Sequence, residues 1–266
     1  MNIYKFETKA QLKSFLVWAF SLLALFLVFA FAFYDMFMDS RAAVLEALNS
    51  LPPVFSAMFG INMDILFSYS GYFQFTYTYV ALIGAIMASS IALSAFAREK
   101  RSKCVDFLFS KPVSREKLFF VKLLSCLTLI IVVNVLFIAA SVLSFAVNGQ
   151  DPSKMGVLIL ASSSLFFMQL VFLSISILYA VFAPKVRSVS GTATAFGFAG
   201  FILSALYSLI QEDFLKYLSP LGYFSPGTVF STGSFETGFV VTAAAVVAAS
   251  VALAYFKYCK SDAQAI

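Results

Sequence analysis

Six stretches of this chain are long enough to cross a bilayer and carry almost no formal charge. Residues 15–33, 73–97, 118–147, 157–182, 189–210 and 239–256 contain no Asp, Glu, Lys or Arg except Lys122. About 20 apolar residues in a helix span the ~30 Å hydrocarbon core, so each stretch predicts one transmembrane helix. The third, at 30 residues, makes about 45 Å of helix and must tilt or project beyond the bilayer. Lys122 lies near its start, where the amine can snorkel to the interface. Composition agrees: 12% of the residues are charged, against about 25% in a soluble domain. The predicted fold is an all-α polytopic membrane protein with six transmembrane helices, a single transmembrane domain over residues 1–266.

Basic residues set the orientation, because segments left in the cytoplasm are enriched in Lys and Arg. With the N-terminus inside, 15 of the 18 basic residues face the cytoplasm, and only Arg41, Lys154 and Lys216 lie outside. Both termini are therefore expected in the cytoplasm and the chain in the cytoplasmic membrane. The same distribution accounts for the excess positive charge without nucleic acid, which is not an expected partner. Ahead of the first span, Ile3, Tyr4, Phe6 and Leu12 interleave with Lys5, Lys9 and Lys13, which predicts a short N-terminal helix lying in the inner interface. Lys5, Lys9, Lys13 and the later Ala30-Phe31-Ala32 imitate a signal peptide, but the apolar run exceeds the ~7–15 residues of a signal core. Outside, Val44, Leu45, Leu48 and Leu51 recur at helical spacing until Pro52-Pro53 stops the run. A weaker helical signal covers residues 214–218.

Several chemistries are excluded by what is missing. The chain has no His, which removes His-based zinc sites and triads. It has no GxxxxGK[ST] phosphate loop and no acidic pair at membrane depth of the kind that intramembrane proteases and proton-coupled carriers need. Catalytic, cofactor-binding and metal-ligating residues are thus expected to be none. Hydroxyls in the spans generally bond to their own backbone or to a neighbouring helix. Ser89, Ser90, Ser94, Thr192 and Thr194 are kept as candidates for facing a substrate.

The loop between the second and third spans carries most of the functional signal. Eight Lys or Arg residues fall between Arg98 and Lys122. Within it, Val105, Leu108 and Phe109 share one side of an amphipathic helix, while Arg101, Lys103 and Asp106 lie largely elsewhere. Pro112 ends that helix, since the residue before a proline avoids the helical region, and Ser114 can cap the next one. Helix, break, helix makes a stiff element at the inner membrane surface, a shape that suits docking a cytosolic partner.

The run Glu99 … Asp106-Phe107-Leu108-Phe109-Ser110-Lys111-Pro112-Val113-Ser114-Arg115 … Lys122 resembles the first cytoplasmic loop of ABC-2 type permeases, the membrane subunits of ATP-binding-cassette exporters. Leu51-Pro52-Pro53-Val54-Phe55-Ser56-Ala57-Met58-Phe59-Gly60 with Ser70-Gly71-Tyr72-Phe73, and Tyr217-Leu218-Ser219-Pro220-Leu221-Gly222-Tyr223-Phe224, are similar to that family's outer loops, so the likeness covers nearly the whole chain. It implies a non-catalytic permease working as a homo- or heterodimer with a second permease subunit. Each half would dock on a cytosolic ABC ATPase subunit that holds ATP and Mg. The coupling contact would be made by Glu99, Arg101, Val105, Asp106, Leu108, Phe109, Ser110, Pro112, Val113, Ser114 and Arg115, and the second and fifth spans would border the path. In the fifth span Gly191, Ala193, Ala195, Gly197 and Gly200 suit close helix contact, as do Ala243, Ala244, Ala245, Ala248 and Ala249 in the sixth.

The alternative is a carrier or channel without an ATPase, or a membrane assembly factor. A carrier should show an inverted repeat, and the last three spans do not repeat the first three. A Cys placed beside Lys257 should be labelled by a membrane-impermeant reagent only from the cytoplasmic side; labelling from outside would overturn the orientation.

Overall fold

No proline or glycine occurs among the first 51 residues, and nothing interrupts the first helix. The computed structural model describes residues 3–50, 52, 61, 65–98, 114–210 and 212–260. Helix α1 (Ile3–Leu27) widens into a π-helical segment at Val28–Phe33, continues as α2 (Tyr34–Asp39) and turns into α3 (Arg41–Asn49). The separate interfacial helix expected at the N-terminus is instead the first turns of α1. Its polar residues explain the difference: Glu7 and Gln11 are 3% and 1% exposed, docked on the bundle rather than turned to water. In the π segment backbone bonds run i→i+5, and the widened turn offers carbonyls to side chains. The Phe29 carbonyl accepts the Tyr72 hydroxyl at 2.8 Å, and the Ala30 carbonyl accepts Asn148 Nδ2 at 3.5 Å.

The other long helices are α4 (Tyr69–Phe96), α5 (Arg115–Val147), α6 (Met155–Phe182), α7 (Val189–Ile210) and α10 (Thr237–Lys260). The short α8 (Asp213–Leu218) and α9 (Pro226–Thr232) lie between the last two. Six helices, the first counted as Ile3–Asp39, are long and apolar enough to cross a membrane, as the charge-free stretches predict. Ser114 caps α5 as expected, its Oγ accepting from the Lys117 backbone N–H at 3.3 Å. Beyond the first span, Val44, Leu45 and Leu48 form the less exposed side of α3, as expected, while Leu51 lies outside the described residues, and α8 covers the weaker helical signal. An even number of spans puts the start of α1 and the end of α10 at one end of the bundle.

Small side chains decide which helix lies at the centre. Lipid tails are as apolar as leucine, so helices in a bilayer associate through close packing rather than through escape from water. Helix α4 packs on α1, α6 and α7, while α6 packs on α4, α5 and α10. Of the apolar stretch of α4, 78% is buried within the protein, against 22% for α7 and for α10. A Cβ on Gly84 would press on Leu165 and Gln169 of α6, one on Gly197 would overlap Ile86 of α4, and one on Gly200 would overlap the Phe172 ring. Ala193, Gly197 and Gly200 thus make the close contacts expected of the fifth span, whereas Gly191 and Ala195 face outward. In the sixth span only Ala243 of the alanine run is buried; Ala244, Ala245, Ala248 and Ala249 are exposed. The expectation fails there because α10 turns one narrow stripe inward, Phe239, Ala243, Ser250 and Ala254.

Replacing Gly197 by Leu should force α7 away from α4 at a cost of about 1–3 kcal/mol, the usual range for overpacking, and lower the thermal unfolding midpoint in detergent. Ala195→Leu, on the outward side of the same helix, should leave that midpoint unchanged.

Candidate functional site

At the end of the bundle where α1 starts and α10 ends, α4 stops at Phe96, the described chain runs on to Arg98 and it resumes at Ser114. Of the sequence-predicted coupling residues, Glu99, Arg101, Val105, Asp106, Leu108, Phe109, Ser110, Pro112 and Val113 lie outside the described residues. Both flanks of that segment are tied to the bundle. On the return side, Arg115 Nη1 donates to the Cys259 carbonyl near the end of α10 at 3.4 Å.

On the outgoing side the tie is a buried cluster of charge. One oxygen of Glu7 is 3.0 Å from Arg98 Nη1, and the other is 3.9 Å from Lys122 Nζ. Lys122 Nζ also donates to the Ala95 carbonyl at 2.6 Å and sits 5.8 Å from the centre of the Phe96 ring. The snorkelling expected of Lys122 does not occur, for its side chain is 0% exposed. Two attractions turn it inward: the Glu7 carboxylate, and the last carbonyls of α4, which lack intrahelical partners and form the negative end of the helix dipole.

A polar seam between α1 and α5 continues from this cluster. Thr8 Oγ1 and Ser125 Oγ are 3.1 Å apart, Gln11 Nε2 donates to Ser125 Oγ at 3.5 Å, and the Tyr4 hydroxyl donates to Thr128 Oγ1 at 2.9 Å. Tyr4, Glu7, Thr8 and Gln11 stand at i, i+3, i+4 and i+7, one helical face. That spacing is the sequence signal for the seam, and reading the N-terminus for its lysines passed over it. A second buried pair lies deeper. Asn134 Nδ2 donates to Gln169 Oε1 at 2.7 Å and Gln169 Nε2 to the Gly84 carbonyl at 3.2 Å, joining α5, α6 and α4. Counting only formal charges in the spans missed both amides.

Toward the opposite end, a cavity of about 290 Å³ opens between α4 and α7 beneath α9. Its polar lining includes Gln74, Tyr77 and Thr78 from α4, Ser204, Tyr207 and Ser208 from α7, and Lys216 of α8. The Tyr77 hydroxyl is buried with no hydrogen-bond partner among the described residues. Lys216 is held by Glu236 at 3.0 Å and lies 4.4 Å from the centre of the Phe239 ring. None of Ser89, Ser90, Ser94, Thr192 and Thr194 lines this cavity. Ser89 and Ser90 are 0% and 2% exposed within the packing of α4. Thr192 Oγ1 donates back to the Ser188 carbonyl at 2.8 Å, and Ser94 and Thr194 are half-buried. This cavity lies between α4 and α7 at a different depth from those five residues.

Residues 1–263 match the sequence pattern of the ABC-2 family transporter proteins. No curated protein matches the chain closely enough to show kinship.

Removing one partner of a buried ion pair leaves an uncompensated charge and typically costs ~3–5 kcal/mol. Glu7→Ala should therefore lower the unfolding midpoint sharply. Glu7→Gln combined with Lys122→Met should recover much of the loss, because the fully buried amine is then gone and the Arg98 guanidinium, which is partly exposed, can turn to solvent. A double variant no more stable than Glu7→Ala would show that the carboxylate and the amine are not coupled.

Proposed function

The chain belongs to the ABC-2 transporter family, and from that membership we propose that it is the permease of an exporter driven by a separate ATPase. Membership makes it a transmembrane subunit of an ABC transporter, a class that is generally non-catalytic and associates with an ABC ATPase. The finer proposal is a multi-pass protein of the cytoplasmic membrane with both termini inside. It pairs with a second permease subunit, identical or related, and each docks on an ATPase subunit that holds ATP and Mg. The observation that carries it is the family match over residues 1–263; the inward bias of the basic residues and the apolar side at Val105, Leu108 and Phe109 support its details.

The contacts give this proposal a mechanical route. A push on residues 99–113 displaces Arg98 and Arg115, and Glu7 passes the displacement of Arg98 to α1. The bond from Lys122 to the Ala95 carbonyl makes α4 and α5 move together at that end. From Phe96 to Gln74 along α4 is about 33 Å of helix, so a tilt imposed at the ATPase side arrives at the cavity between α4 and α7. Stiff packed helices transmit such displacements as shear or rigid-body motion. The charge-poor spans and a cavity lined by hydroxyls, aromatic rings and the Glu236-paired Lys216 favour an amphipathic cargo over a bare ion.

Leu108→Asp or Phe109→Asp should place a charge in the docking contact and weaken co-purification of the ATPase subunit more than tenfold, a cost of about 2–4 kcal/mol, while membrane insertion is unchanged. Arg101→Ala should mainly alter the salt dependence of association. Full ATPase binding and transport by Leu108→Asp would remove the docking role of this loop.

A further inference from the structure

A second concavity, about 490 Å³, lies between α5, α6 and α10. Its walls are hydrocarbon apart from Ser174 and Tyr255, with Leu123 and Leu127 on the α5 side and Ala248 and Ala252 on the α10 side. The two helices meet at the terminus-bearing end, where the Phe119 ring lies 5.5 Å from that of Tyr255 and 5.6 Å from that of Tyr258. Deeper in the bilayer the alanines are too short to reach α5 and the groove stays open. Its lips are Phe120 and Phe256, 56% and 59% exposed.

Length and charge identify the occupant. From Phe119 to Leu127 the groove is about 12 Å long and from Val247 to Phe256 about 14 Å, close to the ~15 Å hydrocarbon depth of one leaflet. A transmembrane helix of another protein would need a face running the full thickness. One turn beyond the aromatic lips stand Arg115 and Lys260, with Lys117 and Lys257 beside them and Glu116 as the only acid on these two turns. Lys117, Lys257 and Lys260 are exposed. Basic residues at this level attract anionic headgroups. We propose that the groove holds one acyl tail of an anionic phospholipid from the leaflet facing the termini, its phosphate gathered by this basic rim. The site is separate from the cavity between α4 and α7 and does not depend on the transport proposal.

Tryptophan quenching tests it on the full chain. In a Trp18→Phe background, Phe120→Trp reports on the groove, and Phe20→Trp, on the exposed side of α1, reports on bulk lipid. Each variant is reconstituted in phosphatidylcholine vesicles containing a rising fraction of phosphatidylglycerol or phosphatidylcholine brominated on its acyl chains. The groove tryptophan should be half-quenched at a phosphatidylglycerol fraction about tenfold below that for phosphatidylcholine, while the Phe20→Trp curves coincide. Lys257→Gln with Lys260→Gln should merge the two groove curves, and Ala252→Phe, which fills the groove, should abolish low-fraction quenching. Coincident groove curves in the parent protein would overturn the proposal. So would a preference that survives Ala252→Phe, since that would be headgroup attraction to the surface alone.

Discussion

In hydrocarbon no water competes for a polar group, so there is a strong demand that donors and acceptors at membrane depth find partners within the protein. Backbone groups meet that demand by forming helices. Side chains meet it where helices touch, and the contacts of this bundle are therefore fixed by its few strongly polar residues as much as by its many apolar ones. Glu7, Lys122, Asn134 and Gln169 are at most 3% exposed, and each reaches across to a different helix. The amide pair locks the middle of α5 and α6 to the backbone of α4 at Gly84, where the missing side chain lets Gln169 come close. The ionic cluster locks the ends of α1, α4 and α5. Between these polar fixings, alanine and glycine set the spacing and phenylalanine fills what remains; Phe26 meets Phe73 and Phe137 edge-on at 6.0 and 5.0 Å.

The ionic cluster is poorly explained as a source of stability, because desolvating charges offsets most of the attraction between them. Its geometry suits the transmission of force better. A single carboxylate holds two cations that belong to helices on either side of the segment 99–113, so neither helix can shift without working against Glu7. A buried charge resists being pulled into an unpaired state far more strongly than an apolar contact resists sliding, and this makes the junction stiff where displacement enters the bundle.

How much of this was legible in the sequence follows from which signals are local. The six spans were, because the cost of charge in lipid writes each one as an uninterrupted stretch. The cap at Ser114 and helix α3 were legible for the same local reason. Lys122 was misjudged because its distance from the helix end says where it could reach, and only the fold brings a glutamate 115 positions away and the carbonyl of Ala95 within reach of its amine. Glu7 and Gln11 gave no signal of burial in the sequence, because nothing in a lone helix shows what it will lie against. The cavity between α4 and α7 is likewise a product of packing: Gln74 and Ser208 are unremarkable in their own helices and line one space only where Gly197 lets those helices approach.

The π-helical segment at Val28–Phe33 has a bearing on how this protein tolerates change in length. It accommodates one residue more than regular α geometry needs, and each residue turns a helix by about 100°. The face of α1 that meets α5 through Glu7 and Gln11 is therefore out of phase with the face beyond Phe33. Single-residue deletions are normally tolerated in loops and ruinous in spans. Here a deletion inside the segment would leave an unbroken and still hydrophobic span, inserted as before, yet with its distal half swung round and the Phe29 and Ala30 carbonyls carried off Tyr72 and Asn148. A gap that alignment would score as harmless in so greasy a stretch would thus change the chain's tertiary partners without changing its topology.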